Sequence, residues 1–236
     1  MNDLLQAIFS RRAVKVFDPA SISAEQRDQL LNAARFAPSS FNIQPYLLYW
    51  VESPAMRETA ATLCHNQRPA RTASALVVAV ADIGSWRETA ESQLDWMRRS
   101  GFDPKKISDA ERKVKLVKWF FIQGWFNILG VVKWLMFRII NLWKSLGMPP
   151  VSRQGLFTWA TKSTALACEN LMIAAEALGL NTCPMEGFDN LRLSKLLKLS
   201  RKHQEIVMVI AIGKKSADLT EPPQWRRPLE ATVTFL

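Results

Sequence analysis

The feature of this chain that most limits its fold is an alternation of segments with strand character and segments with helix character. Ser74 to Ala81 is almost entirely small and aliphatic, as in a buried strand, and Tyr46 to Glu52 and Glu205 to Gly213 also predict strands. Predicted helices cover Asp3 to Arg11, Ser23 to Phe36, Trp86 to Arg99 and Trp159 to Leu178. We therefore expect a layered protein of the α/β or α+β class.

Local signals set several of these boundaries. Ser23 and Gln26 have the spacing of a capping box, which predicts a helix start, and Pro38 ends that helix. Pro54 suits the first position of a further helix, and Gly179 suits the end of the last long one. The predicted elements are therefore bounded by residues whose backbone preferences agree with them.

Length and cysteine content favour one domain in a reducing compartment. A chain of 236 residues is long enough for one sizeable core, so we expect a single domain over residues 1–236. Three widely spaced cysteines and two histidines indicate neither a disulfide framework nor a metal site, and we interpret Cys64 and Cys168 as structural. Leu4 to Phe9 is too short for a signal peptide, so a cytoplasmic location is expected.

The positive charge is concentrated in one part of the chain. The formal net charge is +10, and the stretch from Arg98 to Lys162 holds thirteen Lys or Arg against three Asp or Glu. Within it, Lys113 to Leu146 also holds four tryptophans: Trp119, Trp125, Trp134 and Trp143. Any argument for a charged partner therefore concerns this region alone.

This basic, Trp-rich region is interpreted as a helical insertion spanning residues 104–155. Its longest charge-free run, Trp119 to Val132, has fourteen residues, whereas a membrane-spanning helix needs about 20. The composition is that of an interfacial helix, broken near Gly124 or Gly130, that lies on an anionic membrane surface at the inner face of a membrane. The alternative is a hydrophobic lid packed on its own dimer. So much Ile, Leu and Val disfavours nucleic acid as a partner.

Near the N-terminus, Arg11, Arg12 and Lys15 form a close cationic cluster at the end of a predicted helix. Arginine suits bidentate contacts with phosphate, and lysine acts as a point charge. The cluster is therefore a candidate anion site. The alternative is a basic helix end stabilised by the helix dipole.

A polar loop precedes the first predicted strand. Ser39, Ser40 and Asn42 lie between Pro38 and Pro45 and offer donors and acceptors on a stiffened backbone. Such a loop suits a polar heterocycle or a phosphate. An ordinary helix-to-strand turn is the alternative.

Two further patches lie in the second half of the chain. CPMEGFD, from Cys183 to Asp189, includes Gly187, which allows a flat ligand to approach the backbone closely. Arg226 and Arg227 form a second cationic pair beside Pro228, for the same anion or as a solvated tail.

The order of these four patches resembles the FMN-dependent nitroreductase family. The patches read R-R-x-x-K-x-F-D, P-S-S-x-N-x-Q-P, P-x-E-G-F-D and R-R-P, and the resemblance covers about residues 8–82 and 157–230. It implies an α+β sandwich with a central sheet flanked by helices, here with the additional insertion. It also implies a homodimer that binds two FMN molecules at the subunit interface and uses NADH or NADPH as hydride donor.

The resemblance also implies positions for the cofactor contacts. Arg11, Arg12 and Lys15 would bind the phosphate, ribityl chain and pyrimidine edge of FMN, and Arg226 and, less directly, Arg227 would reach the phosphate. The remaining implied cofactor contacts are Ser39, Ser40, Asn42, Asn66, Pro184, Met185, Glu186 and Gly187. Two groups are implied to be catalytic: Lys15, which would stabilise negative charge on the reduced ring, and the backbone N–H of Glu186, which would point at flavin N5.

Some positions depart from the family pattern. Many members carry a lysine where this chain has Pro69, with Arg71 two residues on, and another where it has Gln224. These differences predict weaker electrostatic support for the reduced flavin.

The expected reaction is ping-pong hydride transfer from NAD(P)H, through flavin N5, to an aromatic acceptor. A Trp-lined insertion favours a lipophilic quinone over a small polar nitroaromatic. Two other interpretations remain open: a flavin-binding protein without turnover, and a peripheral membrane protein that uses the nitroreductase body as a scaffold.

Overall fold

A computed structural model describes residues 3–122, 124, 128–144 and 150–236 of the chain. The helices are α1 (Asp3–Ser10), α2 (Ala24–Arg35), α3 (Pro54–Leu63), α4 (Arg68–Thr72), α5 (Trp86–Arg99), α6 (Pro104–Phe121), α7 (Ile128–Ile140), α8 (Arg153–Ala177) and α9 (Asn190–Leu196). The strands are β1 (Phe17–Asp18), β2 (Tyr46–Val51), β3 (Ala75–Asp82), β4 (Asn181–Met185) and β5 (Gln204–Lys215).

The five strands form one sheet in the order β1-β5-β3-β2, with β4 also paired to β5. All strand pairs are antiparallel, and one isolated parallel bridge joins Ala13 to Thr182. An antiparallel sheet flanked by helices is the α+β arrangement that the sequence favoured as one of two classes. The long strand β5 lies in the interior of the sheet and pairs with β1, β3 and β4.

Two apolar layers cover the sheet, one on each face. Leu76, Val78 and Val80 of β3 belong to one buried cluster, whereas Val77 and Ala79 belong to the other. Successive side chains of a strand point to opposite faces, so a strand buried on both sides must be apolar throughout. This explains why the continuous run at Ala75–Asp82 forms β3.

Helix α8 is the long helix packed against the centre of the sheet. It begins at Arg153, six residues before the predicted start at Trp159, because the Ser152 side chain caps it by accepting from the Gly155 N–H at 2.9 Å. Ala167, Leu171 and Ala175 are buried against the sheet. A helix covered on several sides has a weak sequence period, which hides its first turns.

Several short elements were not predicted. These are β1, α4, α9 and β4, and the last of these contains Pro184. Proline is disfavoured in central strands, and strands of two to five residues give little periodic signal. The CPMEGFD patch begins within strand β4, and its last four residues, Glu186 to Asp189, follow the strand.

The described part of residues 104–155, the region interpreted from the sequence as an insertion, contains the helices α6 and α7 and the start of α8. Gly124 has φ +69° between α6 and α7, which agrees with the predicted break there, whereas Gly130 lies inside α7. The tilted Trp119–Phe137 ring contact, with centroids 5.8 Å apart, joins the two helices. Trp125 falls outside the described residues. No helix in the described part of the chain is long and apolar enough to cross a membrane.

The capping box predicted at α2 is present and gives a first test. Ser23 accepts from the Gln26 N–H at 3.1 Å, and the Gln26 side chain accepts from the Ser23 N–H at 3.1 Å. Ser23→Ala should therefore lower the free energy of unfolding by about 1 kcal/mol in urea titrations. Ser53→Ala is the matched control, because Ser53 caps α3 without a side-chain hydrogen bond. Equal losses for the two variants would show that the box contributes nothing.

Candidate functional site

Cationic side chains from distant parts of the chain line one surface cavity. Its volume is about 580 Å³, and the chain segment from Leu219 to Arg226 forms one of its walls. The cationic residues that line it are Arg11, Arg12, Lys15, Arg68 and Arg226. Glu221 is the single acidic residue among the lining residues, so the cavity favours an anion.

The arginines of this cavity are held by specific contacts. Arg12 donates to the carbonyl of Pro222 at 2.7 Å, and the Nε atom of Arg11 lies 3.9 Å from Glu169 Oε1 on α8. In the side-chain amide orientation that satisfies both neighbours, the Gln224 nitrogen donates to the Phe9 carbonyl and the Gln224 oxygen accepts from the Arg226 guanidinium. The C-terminal segment is therefore fastened beside the end of α1, where the first cationic cluster lies.

Lys15 connects the cationic cavity to strand β4. Its ammonium donates to Cys183 Sγ at 3.3 Å. The chain just before it runs alongside β4, because Ala13 bridges to Thr182 and the Val14 N–H donates to the Thr182 carbonyl at 3.0 Å. The structure thus brings the first and third predicted patches together.

The segment after β4 is pinned by two hydrogen bonds. Gln67 Nε2 donates to the carbonyl of Gly187 at 2.6 Å, and the Asp189 N–H donates to the Leu63 carbonyl at 2.8 Å. Glu186 and Gly187 are exposed where the chain leaves β4 and reaches the first of these hydrogen bonds, while Met185 is buried in the core and Pro184 is partly buried. Their backbone is therefore both accessible and fixed, as a site for a planar ligand requires.

Asn66 lies beside this segment but lines a different cavity. It borders a space of about 410 Å³ together with Arg57 and Arg71. Asn66 and His65 both have positive φ, at 52° and 56°. Non-glycine residues in this left-handed region carry backbone strain, which is common where side chains are positioned for ligands.

The polar loop containing Ser39, Ser40 and Asn42 lies elsewhere. It forms a short 3-10 turn just before β2, and Ser39 Oγ accepts from the Gln44 N–H at 2.9 Å. Across the sheet, Met185 aligns with Val209, then Val78, then Tyr49 of β2. Three strand spacings of about 4.8 Å separate the β2 and β4 backbones by about 14 Å. One chain therefore does not bring this loop to Lys15.

Two functional candidates escaped the sequence analysis. Arg68 lines the cationic cavity, and Gln67 holds the Gly187 carbonyl. Both directly follow Asn66, so proximity to a predicted contact was the available signal. Arg227, in contrast, is not among the cavity residues: its guanidinium donates to the Ala231 carbonyl at 3.1 Å.

All three cysteines are buried, which predicts slow thiol chemistry. Burial raises the pKa of Cys64 from 9.0 to about 11 and, together with the charge of Glu169, that of Cys168 to about 12. At about pH 8 these two thiols should react with a disulfide reagent far more slowly in the native protein than after denaturation. Rapid labelling of Cys64 in the native state would contradict this.

The raised pKa values of Cys64 and Cys168 predict that the free energy of unfolding decreases at alkaline pH. A folded-state pKa raised above the unfolded value stabilises the fold fully below the unfolded pKa, and this contribution is lost as the pH rises toward the folded pKa. Stability to urea should therefore fall as the pH rises from about 9 toward the folded pKa of about 11 for Cys64. Cys64→Ala should make that part of the decline shallower.

Comparisons with known proteins place these features in context. The model of the nitroreductase family matches residues 8–125 and 145–214 of the chain. Protein DrgA of Synechocystis sp. is 31% identical over 218 residues, covering 92% of this chain and 86% of that protein. YdgI of Bacillus subtilis, provisionally named an NAD(P)H nitroreductase, is 26% identical over 215 residues, covering 90% of this chain and 88% of that one.

A solved structure gives a likeness of fold. A protein of Exiguobacterium sibiricum, provisionally named a nitroreductase and crystallised in complex with FMN, superposes with a TM-score of 0.75 at 23% identity. The match covers 100% of this chain and 98% of that one. The antiparallel sheet with its flanking helices is thus shared along the whole chain.

Proposed function

The chain belongs to the nitroreductase family and is an NAD(P)H-dependent FMN oxidoreductase, and from this premise we propose a ping-pong hydride transfer from NAD(P)H to an aromatic acceptor, a quinone or a nitroaromatic. The observation that carries the proposal is that Lys15 lines the cationic cavity and also donates to Cys183 of β4, the strand that leads into the exposed Glu186 and Gly187.

The residues present fit the phosphate end of FMN. Arg11, Arg12 and Arg226 line one cavity, and three guanidinium groups can supply paired donors to a phosphate dianion. Arg68, on the first turn of α4, adds a fourth guanidinium to the same cavity. We assign these residues to phosphate binding, with Arg227 as a more distant contributor.

The other end of the site fits the flavin ring. Lys15 places a positive charge at β4, where the ring's N1/O2 edge would lie, and Pro184, Glu186 and Gly187 would cover one ring face with the backbone of the buried Met185. Asn66 lines the separate cavity with Arg57 and Arg71, and its assignment to the pyrimidine rests on the family resemblance. FMN, when bound, supplies hydride acceptance from NAD(P)H and hydride donation to the acceptor at N5. Lys15 would stabilise negative charge at the N1/O2 edge of the reduced ring, and the backbone N–H of Glu186 would point at N5.

The missing part of the site is assigned to a second copy of the chain. Family members are typically homodimers, and the loop with Ser39, Ser40 and Asn42 lies too far from Lys15 to act within one chain. Apolar side chains on α1 and α8 are exposed and could contribute to such an interface: Leu5, Ile8, Phe9 and Leu166. We therefore propose a homodimer in which this loop completes the partner's FMN site.

A candidate acceptor space lies next to that loop. Phe41 and Asn42 line a cavity of about 520 Å³ that continues along α5 and α6 past Met97, Phe102 and Val117. These apolar walls suit a hydrophobic ring more than a small polar compound, which favours a quinone. Steady-state kinetics with a lipid-soluble quinone and a water-soluble nitroaromatic test this: a higher kcat/KM for the nitroaromatic would contradict it.

The departures at Pro69 and Gln224, which stand where many family members carry lysine, predict slow turnover for this enzyme. Anaerobic mixing of the yellow protein with NADH or NADPH measures the rate at which the flavin is reduced. Bleaching of the flavin bands within seconds supports the ping-pong proposal, whereas bands that persist for minutes contradict it.

A further inference from the structure

Helix α7 has an inverted distribution of polar and apolar side chains. Its aliphatic residues at helical spacing face outward and are between 53% and 59% exposed: Ile128, Val131, Val132, Leu135 and Ile139. Gly130 and the cationic Lys133 are its buried residues. A surface helix in water normally exposes its charges and buries its aliphatic stripe. The outward stripe of α7 is therefore built to meet an apolar phase.

Lys133 fixes α7 in this orientation. Its ammonium donates to the carbonyls of Trp119 and Ile122, at the end of α6, and lies 4.9 Å from the centre of the Trp119 ring. The last carbonyls of a helix have no partner within the helix and carry partial negative charge, so a buried ammonium is stabilised there. Burial lowers the pKa of Lys133.

The charge around the stripe identifies the kind of partner. From Arg112 to Cys168 the sequence contains nine Lys or Arg and no Asp or Glu. Lys115 and Lys118 on α6, Arg138 on α7 and Lys144 just after it are exposed. A second copy of this face would bring cations against cations, whereas anionic lipid headgroups complement them. The occupant that fits is an anionic bilayer surface.

Tryptophans stand at the border of the apolar stripe. Trp143 is 86% exposed just beyond α7, and the exposed ring of Trp134 lies 5.5 Å from the guanidinium carbon of Arg138. An indole ring combines a large apolar face with one N–H donor, and it therefore concentrates at the boundary between headgroups and acyl chains.

We propose that α7 docks flat on an anionic phospholipid bilayer, with the stripe from Ile128 to Ile139 in the interfacial layer and the surrounding cations at the headgroups. A helix lying in the plane of the interface needs no membrane-spanning length, and its binding combines apolar burial with attraction to anionic lipid. This docking is independent of the flavin chemistry and places the α5–α6 cavity near the lipid phase.

Vesicle co-sedimentation of the full FMN-loaded protein tests the proposal. Wild-type protein should bind vesicles of phosphatidylcholine and phosphatidylglycerol, bind pure phosphatidylcholine at least about tenfold more weakly, and lose affinity as salt is raised. The double variant Val131→Glu/Ile139→Glu should lower the partition coefficient on anionic vesicles by at least about tenfold. Leu191→Glu is the matched control, because Leu191 on α9 is 59% exposed, as is Val131.

Further measurements test whether the double variant is folded and whether a second copy of the chain, instead of lipid, covers the stripe. Flavin content and circular dichroism of the double variant should equal those of the wild type. Brominated lipids in the anionic vesicles should quench wild-type fluorescence, and more strongly than that of Trp143→Phe. Binding that is absent in the wild type, or unchanged in the double variant, overturns the proposal. A drop in oligomeric mass of the double variant without lipid also overturns it, since a second copy would then cover the stripe.

Discussion

Lys15→Ala is expected to slow reduction of the bound flavin by NAD(P)H by about 10²- to 10³-fold, the usual cost of removing one preorganised electrostatic donor. Lys15 lines the cationic cavity, and its positively charged ammonium lies 3.3 Å from Cys183 Sγ on β4. Anaerobic stopped-flow mixing at saturating NADH or NADPH measures the rate. The reduction potential of the bound flavin should fall as well, because the reduced ring loses its counter-charge.

Two further variants make this expectation specific to position 15. Lys15→Arg keeps the charge and should recover part of the lost rate. Lys202→Ala removes an exposed lysine from the turn before β5 and should reduce at the wild-type rate. If Lys15→Ala retains FMN and is reduced as fast as the wild type, Lys15 is not the stabilising charge.

Arg226→Ala is expected to weaken FMN binding about 10- to 100-fold, because a hydrogen bond to a charged group contributes about 1.5–3 kcal/mol. The residue lines the cationic cavity together with Arg11, Arg12 and Lys15, which follow α1. Equilibrium titration of the FMN-free protein, followed by flavin fluorescence, gives the dissociation constant. Arg11→Ala should show a loss of similar size, since both guanidinium groups are assigned to one phosphate.

The neighbouring Arg227 gives an internal comparison. Arg227 does not line the cationic cavity, so Arg227→Ala should weaken FMN binding less than Arg226→Ala. Arg201→Ala, at an exposed position, serves as the control for lost charge alone. Equal losses for all three variants would indicate a general charge effect and would exclude a phosphate clamp at Arg226.

Much of the secondary structure could be predicted because local signals agreed with tertiary packing. Helix α5 spans Trp86–Arg99 as predicted, and the Ser23–Gln26 capping box starts α2 as its spacing indicated. The family, the α+β fold, the FMN cofactor and the NAD(P)H-dependent activity expected from the four patches are confirmed. Short β4 escaped because its strand conformation depends on pairing with β5, a contact that no local pattern contains.

The sequence predicted most of the residues of the candidate site, but it did not predict how far apart they lie in one chain. Arg11, Arg12, Lys15 and Arg226 were chosen from the sequence and line one cavity in the structure. The polar loop at Ser39 precedes β2, three strands across the sheet from β4 and Lys15. Nothing in the composition of the loop indicates how far it lies from Lys15. Arg68 gave no signal of its own, because one arginine on a short helix resembles any surface cation. The flavin contacts assigned to these residues stay predictions.

The way α6 and α7 are attached bears on how this enzyme can change its substrates. Helix α6 packs on α5 through Trp86, Val117 and Phe121, in a small apolar cluster separate from the two layers that cover the sheet. Helix α7 is joined to the end of α6 by the hydrogen bond from Lys133 to the Trp119 carbonyl. Substitutions on these helices can therefore reshape the cavity proposed for the acceptor, while the two buried layers around β3 and the cationic cavity stay intact. Evolution or directed selection can explore new acceptors there at little cost in foldability, in contrast to the tightly packed sheet.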